Sequence, residues 1–214
     1  MLRPLVIVIL SCCLVSTAAA LFSPATPLHE AVEANDLTKL RLLLESGAHD
    51  ANARDALLQT PLHTAACCGS DEAASIILQY GGDVSSIDEE GKTPLHWAAM
   101  TGKAELCGLL VVSGASLHAR DKKGWCALHF AAAEGSDQAI DLLVSRGADL
   151  EARTFSGSTA LMFAVDGDHL RAIEALVKAG ADAAATDLTG RSCAKIAREG
   201  ASPRELLAAL EQSG

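Results

Sequence analysis

Aromatic residues are scarce in this sequence. Phe, Trp and Tyr make up 3% of 214 residues, although half of the chain is hydrophobic and alanine alone occurs 40 times. Strands favour aromatic and β-branched side chains, so this composition nearly excludes an all-β sandwich. It predicts instead many closely packed helices joined by short turns.

Positive charge is also in short supply. The chain has 17 Lys and Arg residues against 27 Asp and Glu, a net charge of -10. Proteins that bind nucleic acids depend on attraction to phosphate, which this balance removes, so we expect no nucleic-acid partner. A mean hydropathy of +0.24 excludes intrinsic disorder, because there is ample apolar surface to bury.

The usual motifs of catalysis and cofactor binding are missing. The sequence contains neither G-x-x-x-x-G-K nor G-x-S-x-G, which removes support for nucleotide hydrolysis and serine esterase chemistry. His49, His118 and His169 lie far apart with no acid at a useful spacing. The cysteines form no C-x-x-C pair that would indicate zinc. We therefore predict no enzyme activity, no metal and no cofactor.

The amino terminus has the layout of a targeting segment. Residues 1–20 contain one charge at Arg3, an apolar run over residues 5–15, and the small residues Ala18 and Ala20. This layout predicts a signal peptide cleaved before Leu21, and thus a protein of the secretory pathway or a secreted one. Two alternatives are an uncleaved membrane anchor extending to Phe22 and a mispredicted start codon on a cytoplasmic protein.

A period of 33 residues organises the rest of the chain. Thr-Pro-Leu-His begins at residues 26, 60 and 93, and degraded copies begin at residues 126, 159 and 192. A glycine stands 21 residues after the start of each of the first five copies. Two independent series in the same phase indicate a repeat architecture.

Each repeat predicts two helices. Threonine and proline suit the N-cap and the first position of a short helix, and Gly69, Gly102 and Gly135 suit the left-handed residue that ends it. Asn35 and Asp168 occupy that slot in two other repeats and tolerate the same conformation. The second helix carries three apolar columns on one face. These are Leu40, Ala74, Cys107, Ile140 and Ile173; Leu43, Ile77, Leu110, Leu143 and Leu176; and Leu44, Leu78, Val111, Val144 and Val177.

The T-P-L-H-x-A motif, the Gly-Ala ending of the second helix and a D-x-x-G turn together make the chain resemble the ankyrin-repeat family. The resemblance implies an all-α solenoid of stacked helix-turn-helix units with β-hairpin fingers. We place the domain at residues 24–214, with repeats at about 24–54, 55–87, 88–120, 121–153 and 154–186 and a capping repeat at 187–212.

Three departures mark weak points of the pattern. One extra residue lies around His49, and Leu58 replaces the turn glycine of the first finger. That finger is therefore predicted to be irregular. Thr154 replaces the turn aspartate of a later finger, which removes a turn-favouring side chain without forbidding the turn.

The resemblance also assigns a structural role to four histidines. In this family the motif histidine hydrogen-bonds to neighbouring backbone and ties adjacent units together. The residues concerned are His29, His63, His96 and His129.

The family's binding surface is formed by the fingertips and the exposed ends of the first helices. Trp125 and Phe155 are the predicted anchors, with Arg120 and Arg153 beside them. The full set of candidate partner-binding residues is Ile87, Glu89, Glu90, Lys92, Met100, Arg120, Lys122, Lys123, Trp125, Arg153, Phe155 and Ser158. The basic residues predict a protein partner with an apolar patch and an acidic rim.

A scaffold or adaptor that binds a protein is thus the main functional hypothesis. The alternative from another class is a redox- or metal-responsive protein that uses the vicinal thiols Cys67 and Cys68. A third is a repeat module that inhibits an enzyme by covering its active site.

Overall fold

A computed structural model describes residues 26–200 and 202–211. The predicted leader, residues 1–20, lies outside this part. Twelve helices fill the described residues in six successive pairs. They are α1 Pro27–Glu33, α2 Leu37–Glu45, α3 Pro61–Cys68, α4 Asp71–Gln79, α5 Pro94–Met100, α6 Ala104–Val112, α7 Ala127–Glu134, α8 Asp137–Ser145, α9 Ala160–Asp166, α10 Leu170–Lys178, α11 Cys193–Glu199 and α12 Pro203–Glu211. Each pair contacts the next, so the fold is the all-α repeat solenoid that was predicted.

The helix boundaries follow the expected local chemistry. Proline opens α1, α3 and α5, where its missing N–H costs no helical hydrogen bond. Gly69 and Gly135 end α3 and α7 in the left-handed conformation. Asn35 and Asp168 adopt positive φ angles of 51° and 57° in the same slot, which confirms their predicted role.

The core runs between the helix pairs without interruption. The first apolar column of the second helices is fully buried, and Cys107 lies in it as a small core residue. Leu110, Leu143 and Leu176 are also completely buried. The third column is partly buried in the middle units, and Leu43 is partly exposed in the first unit.

Each connection from one pair to the next is a finger, named here by the residue that opens its turn. The fingers are Asp55 (residues 46–60), Asp88 (80–93), Asp121 (113–126), Thr154 (146–159) and Asp187 (179–192). Among the described residues they contain no strands, and the one bridge pairs Thr186 with Ser192, so the predicted β-hairpin pairing is reduced to this single bridge.

The irregularity predicted for the first finger lies before its tip. The backbone N–H of Asp55 donates to the Gln59 carbonyl at 3.0 Å, the same closure as in the other four fingers. Leu58 takes a φ of 59° and so reproduces the glycine conformation at the tip. The tip is therefore regular, contrary to expectation, and the extra residue is absorbed around His49, where the chain bends.

Candidate interaction surface

Turn aspartates build the fingertips. The Asp121 carboxylate accepts hydrogen bonds from the backbone N–H groups of Lys123 and Trp125, each at 2.8 Å. Asp55, Asp88 and Asp187 make the same pair of bonds in their own fingers. The Thr154 hydroxyl accepts from one backbone group, the Ser158 N–H at 3.2 Å, and shares a second hydrogen bond with the Ser156 hydroxyl at 2.8 Å. Its turn forms nevertheless, as predicted.

Neighbouring tips are joined into one row. The Lys122 N–H donates to the Glu90 carbonyl at 3.0 Å, and the Phe155 N–H donates to the Lys123 carbonyl at 3.1 Å. Equivalent bonds link Glu89 to Leu57 and Leu188 to Ser156. Consecutive tips therefore sit side by side in a fixed order.

Glycine at the tip allows the next tip to approach. A Cβ atom on Gly124 would lie 2.8 Å from the Phe155 ring, and one on Gly157 would lie 2.9 Å from the Leu188 side chain. Phe155 and Leu188 thus each cover the glycine of the preceding tip. Both remain largely exposed, at 68% and 79%.

The tips supply most of the exposed residues that the sequence predicted. Ile87 is half exposed, and Glu89, Glu90, Lys122, Lys123 and Phe155 are exposed. Leu188 is an addition that the sequence reasoning missed. It stands 33 residues after Phe155 in the same turn slot, so the repeat period itself was the signal that identifies it.

Three predicted contact residues are buried, so they do not belong to the surface that a partner can reach. Lys92, Met100 and Ser158 expose less than a tenth of their area. The Lys92 ammonium lies 2.5 Å from the Glu90 carboxylate and 4.9 Å from the centre of the Trp97 ring. It is buried because it has both an ion pair and an aromatic face as partners.

Trp125 is also not the free fingertip anchor that was predicted. Its ring centroid lies 4.1 Å from that of Phe163 and 5.0 Å from that of Phe130. Residue 125 follows the tip glycine, and its side chain turns back towards the first helices. Phe155 is the aromatic residue that remains at the tip.

The two predicted rim arginines are used within the stack. Arg120 donates to the carbonyls of Gly124 and Arg153. Arg153 donates to the carbonyls of Gly157 and Thr186, at 3.2 and 2.7 Å. Each guanidinium thus links one finger to the next. Both arginines remain exposed and charged, so they add to the positive charge that Lys122 and Lys123 give to the row.

The four motif histidines tie each first helix to the finger that follows it. In His63, Nδ1 accepts from the Thr60 backbone N–H at 3.1 Å, so the ring proton is on Nε2, which donates to the Lys92 carbonyl at 3.1 Å. His29, His96 and His129 bond in the same way to the carbonyls of Gln59, Ala119 and Ala152. Their predicted structural role is confirmed.

Burial determines the protonation of these histidines. Desolvation lowers the pKa of all four, and that of His129 falls to about 4. The remaining histidines do not converge: His169, for example, donates from Nε2 to the Ala133 carbonyl at 3.0 Å. Within residues 26–200 and 202–211, no group of three or more His, Cys, Asp or Glu side chains is arranged to hold a metal.

The cysteines divide into buried and accessible ones. Burial raises the pKa of the Cys107 and Cys193 thiols to about 12, and that of Cys126 is also raised. Cys67 is partly buried and Cys68 is exposed at the end of α3. Of the two predicted reactive thiols, Cys68 is thus the accessible one.

Comparison with known proteins agrees with this architecture. A family model described as ankyrin repeats (3 copies) matches residues 28–121 and 102–187. The E3 ubiquitin-protein ligase KEG of Arabidopsis thaliana is 36% identical over 66 residues, which is 31% of this chain and 4% of that protein. The chain thus spans a small part of this relative's length. No helix in the described part of the chain is long and apolar enough to cross a membrane.

Proposed function

Because the chain belongs to the ankyrin-repeat family, whose members generally serve as protein–protein interaction modules and are typically not enzymes, we propose that it is a non-enzymatic scaffold or adaptor. Its partner binds to the row of fingertips and to the adjoining first helices. We define the contact area as the tip ridge, formed by Lys122, Lys123, Phe155 and Leu188 on three consecutive fingers.

One observation carries this proposal. The tip ridge places two large exposed apolar side chains beside two exposed lysines, although the protein as a whole carries a charge of -10. Neighbouring exposed apolar residues with a charged rim are typical of surfaces that bind another protein. The Glu90 carboxylate of the preceding tip is paired with Lys92, and Glu89 of that tip is exposed, so Lys122 and Lys123 lie between an acidic tip and an apolar one.

The chemistry of the ridge specifies the partner's surface. An apolar patch covers Phe155 and Leu188, and acidic side chains around it face Lys122 and Lys123. The acidic remainder of the protein repels other acidic surfaces, which gives orientation as well as attraction.

A peptide library tests this function and does not require the partner to be identified first. Random 12-residue peptides displayed on phage are selected against the purified chain and against a Lys122→Glu, Lys123→Glu double variant. We expect the wild type to enrich peptides with acidic residues next to an apolar one, and the double variant to lose them. Enrichment of the same peptides on both proteins would show that the tip ridge is not the binding surface.

The exposure of Cys68 keeps the thiol hypothesis as a second candidate. A Cys67→Ser, Cys68→Ser variant should bind the selected peptides with unchanged affinity before and after treatment with hydrogen peroxide if the ridge acts alone. Loss of an oxidant response that the wild type shows would favour a redox role instead.

We further propose that the protein enters the secretory pathway by its first 20 residues. A reporter fused to residues 1–24 should be exported and cleaved near Leu21. Retention of the fusion at the membrane would indicate an anchor, and a cytosolic reporter would favour the mispredicted start codon.

A further inference from the structure

The chemical character of the fingertips changes along the row in a definite order. The exposed tip residues, in finger order, are Leu58, then Glu89 and Glu90, then Lys122 and Lys123, then Phe155 and finally Leu188. From the first tip to the last, the row is therefore apolar, acidic, basic, apolar and apolar. We call the first two tips, which carry Leu58, Glu89 and Glu90, the acidic end.

The acidic end is the complement of the tip ridge. It places an apolar side chain beside carboxylates, whereas the tip ridge places apolar side chains beside lysines. If two copies of the row meet in opposite directions, each acidic tip can face a basic tip and each Leu58 can face Phe155. A two-fold axis between the Asp88 and Asp121 tips produces this arrangement, in which every contact occurs twice.

Other two-fold axes do not match the tips in this way. An axis through the Asp88 tip would bring Glu89 of both copies together, and one through the Asp121 tip would do the same to Lys122, so like charges would repel. The remaining axes place the charged tips opposite apolar ones or beyond the end of the described row. Among the five described tips, one register alone pairs opposite charges.

The charged side chains are available for this contact. Within the described part of the chain, Glu89, Lys122 and Lys123 take part in no ion pair. The side-chain hydrogen bond with Lys92 lowers the pKa of Glu90, so this carboxylate also stays ionised. Backbone hydrogen bonds already hold consecutive tips side by side, and a row with a fixed order loses little freedom on binding.

We propose that two copies of this chain associate through their fingertips about a two-fold axis between the Asp88 and Asp121 tips. The acidic tip of each copy faces the basic tip of the other, and Leu58 faces Phe155. This inference rests on the proposed function and names its partner, because the acidic end of a second copy occupies the tip ridge. The tips are a small part of the surface, so the dimer is weak and depends on protein concentration.

Reversing one charge at each end of the contact tests the pairing. Glu89→Lys and Lys122→Glu change the same turn slot of neighbouring fingers and leave the ion pair of Glu90 with Lys92 in place. Either variant alone places like charges opposite each other twice. A dimer of one variant with the other has two opposite-charge contacts again, so mixing the two should restore association.

Arg171→Glu is the matched control. It changes the net charge by the same amount as Lys122→Glu, and residue 171 is exposed on α10 rather than on a finger. Thermal melting of each variant establishes that it is folded before its association is compared.

Sedimentation equilibrium of the purified chain, between about 5 and 500 µM protein and in about 0.15 M salt, measures dimer dissociation. This ionic strength screens the general repulsion between two chains of charge -10 more than it weakens charges in contact. We expect each reversal to weaken the dimer more than about tenfold. The mixture should return to within about threefold of the wild type, and Arg171→Glu should stay within about twofold.

The outcomes separate this inference from the proposed function. A wild type that is monomeric at every concentration would overturn the dimer, but the proposed function would stand if the peptide library still selects acidic peptides that the Lys122→Glu, Lys123→Glu variant loses. A dimer that neither reversal weakens, or that the mixture does not restore, would overturn the fingertip pairing. A monomeric chain that selects no such peptides would contradict both proposals.

Discussion

The first four helix pairs and the last two use different links for the same backbone fold. In pairs one to four, a buried histidine joins the first helix to the following finger. Met162 and Lys195 replace it in the fifth and sixth pairs, where methionine is buried and lysine is exposed. The stack continues regardless, so the histidine bond is one of several means of joining consecutive units.

The tips change character at the same place along the chain. Those of the Asp88 and Asp121 fingers present charged residues, whereas Phe155 and Leu188 follow in the last two fingers. The same backbone thus carries a part joined by buried histidines, with charged tips on its Asp88 and Asp121 fingers, and a part with apolar tips. This difference suggests that stability and recognition can be perturbed separately.

The largest effect should come from the shared core. Leu143→Ala in α8 is expected to cost roughly 2 to 5 kcal/mol, because the side chain is completely buried between neighbouring units. Leu210→Ala in the last helix should cost less, since no further unit follows it among the described residues. Urea unfolding measures both; equal costs would contradict a stack held by nearest-neighbour contacts.

Acid should act on the first four pairs. The unfolded chain binds a proton at each histidine near pH 6.5, but burial keeps the His129 pKa at about 4, so the unfolded state holds more protons between these values. Stability therefore falls as the pH drops from 6.5 to 4, by roughly 3 kcal/mol for His129 alone.

His129→Met, which copies the fifth unit, is the matched control for this effect. It should reduce the slope of the unfolding free energy against pH by the amount that corresponds to about one fewer proton taken up on unfolding. Urea unfolding between pH 4 and 7 measures that slope. An unchanged slope would show that another group is responsible for the acid sensitivity.

The two aromatic residues of neighbouring fingers should differ in their effect on stability. Trp125→Ala removes a ring packed between Phe130 and Phe163 and should cost roughly 2 kcal/mol. Phe155→Ala should change stability by less than about 0.5 kcal/mol, because the side chain is 68% exposed. Similar melting temperatures for the two variants would refute this division between packing and surface.

The smallest effect concerns the first tip. Leu58 is held at a φ of 59°, which disfavours any residue with a side chain, so Leu58→Gly should stabilise the protein by about 0.5 to 1 kcal/mol. Leu57→Gly, one position earlier and without a positive φ, should destabilise it. A stabilised Leu57→Gly variant would point to chain flexibility rather than relief of strain.

The repeat period made most of the fold predictable. Spacing alone placed the helices, the buried columns and the left-handed Asn35 and Asp168, because each depends on local chemistry repeated in phase. The role of the motif histidines came from the family resemblance, and the bonds of all four agree with it.

The direction of individual side chains was not predictable in the same way. Lys92, Trp125 and Ser158 occupy one turn slot, and the sequence reasoning counted all three as exposed tips. Their burial depends on Trp97, Phe130 and Phe163, which approach from other units. Arg120 and Arg153 are exposed, as predicted for rim residues, but their bonds to the carbonyls of the neighbouring finger were not predictable from the sequence.

The arginine links between fingers have a mechanical consequence. Arg54, Arg120 and Arg153 each join their own finger to the next one by hydrogen bonds from the guanidinium group. Ile87 occupies the equivalent slot in the Asp88 finger, and its side chain has no hydrogen-bond donor. The junction of the Asp88 and Asp121 fingers therefore lacks one clamp. We expect the elastic bending of the solenoid to concentrate there, which would let its two halves adjust their angle to a partner while each half stays stiff.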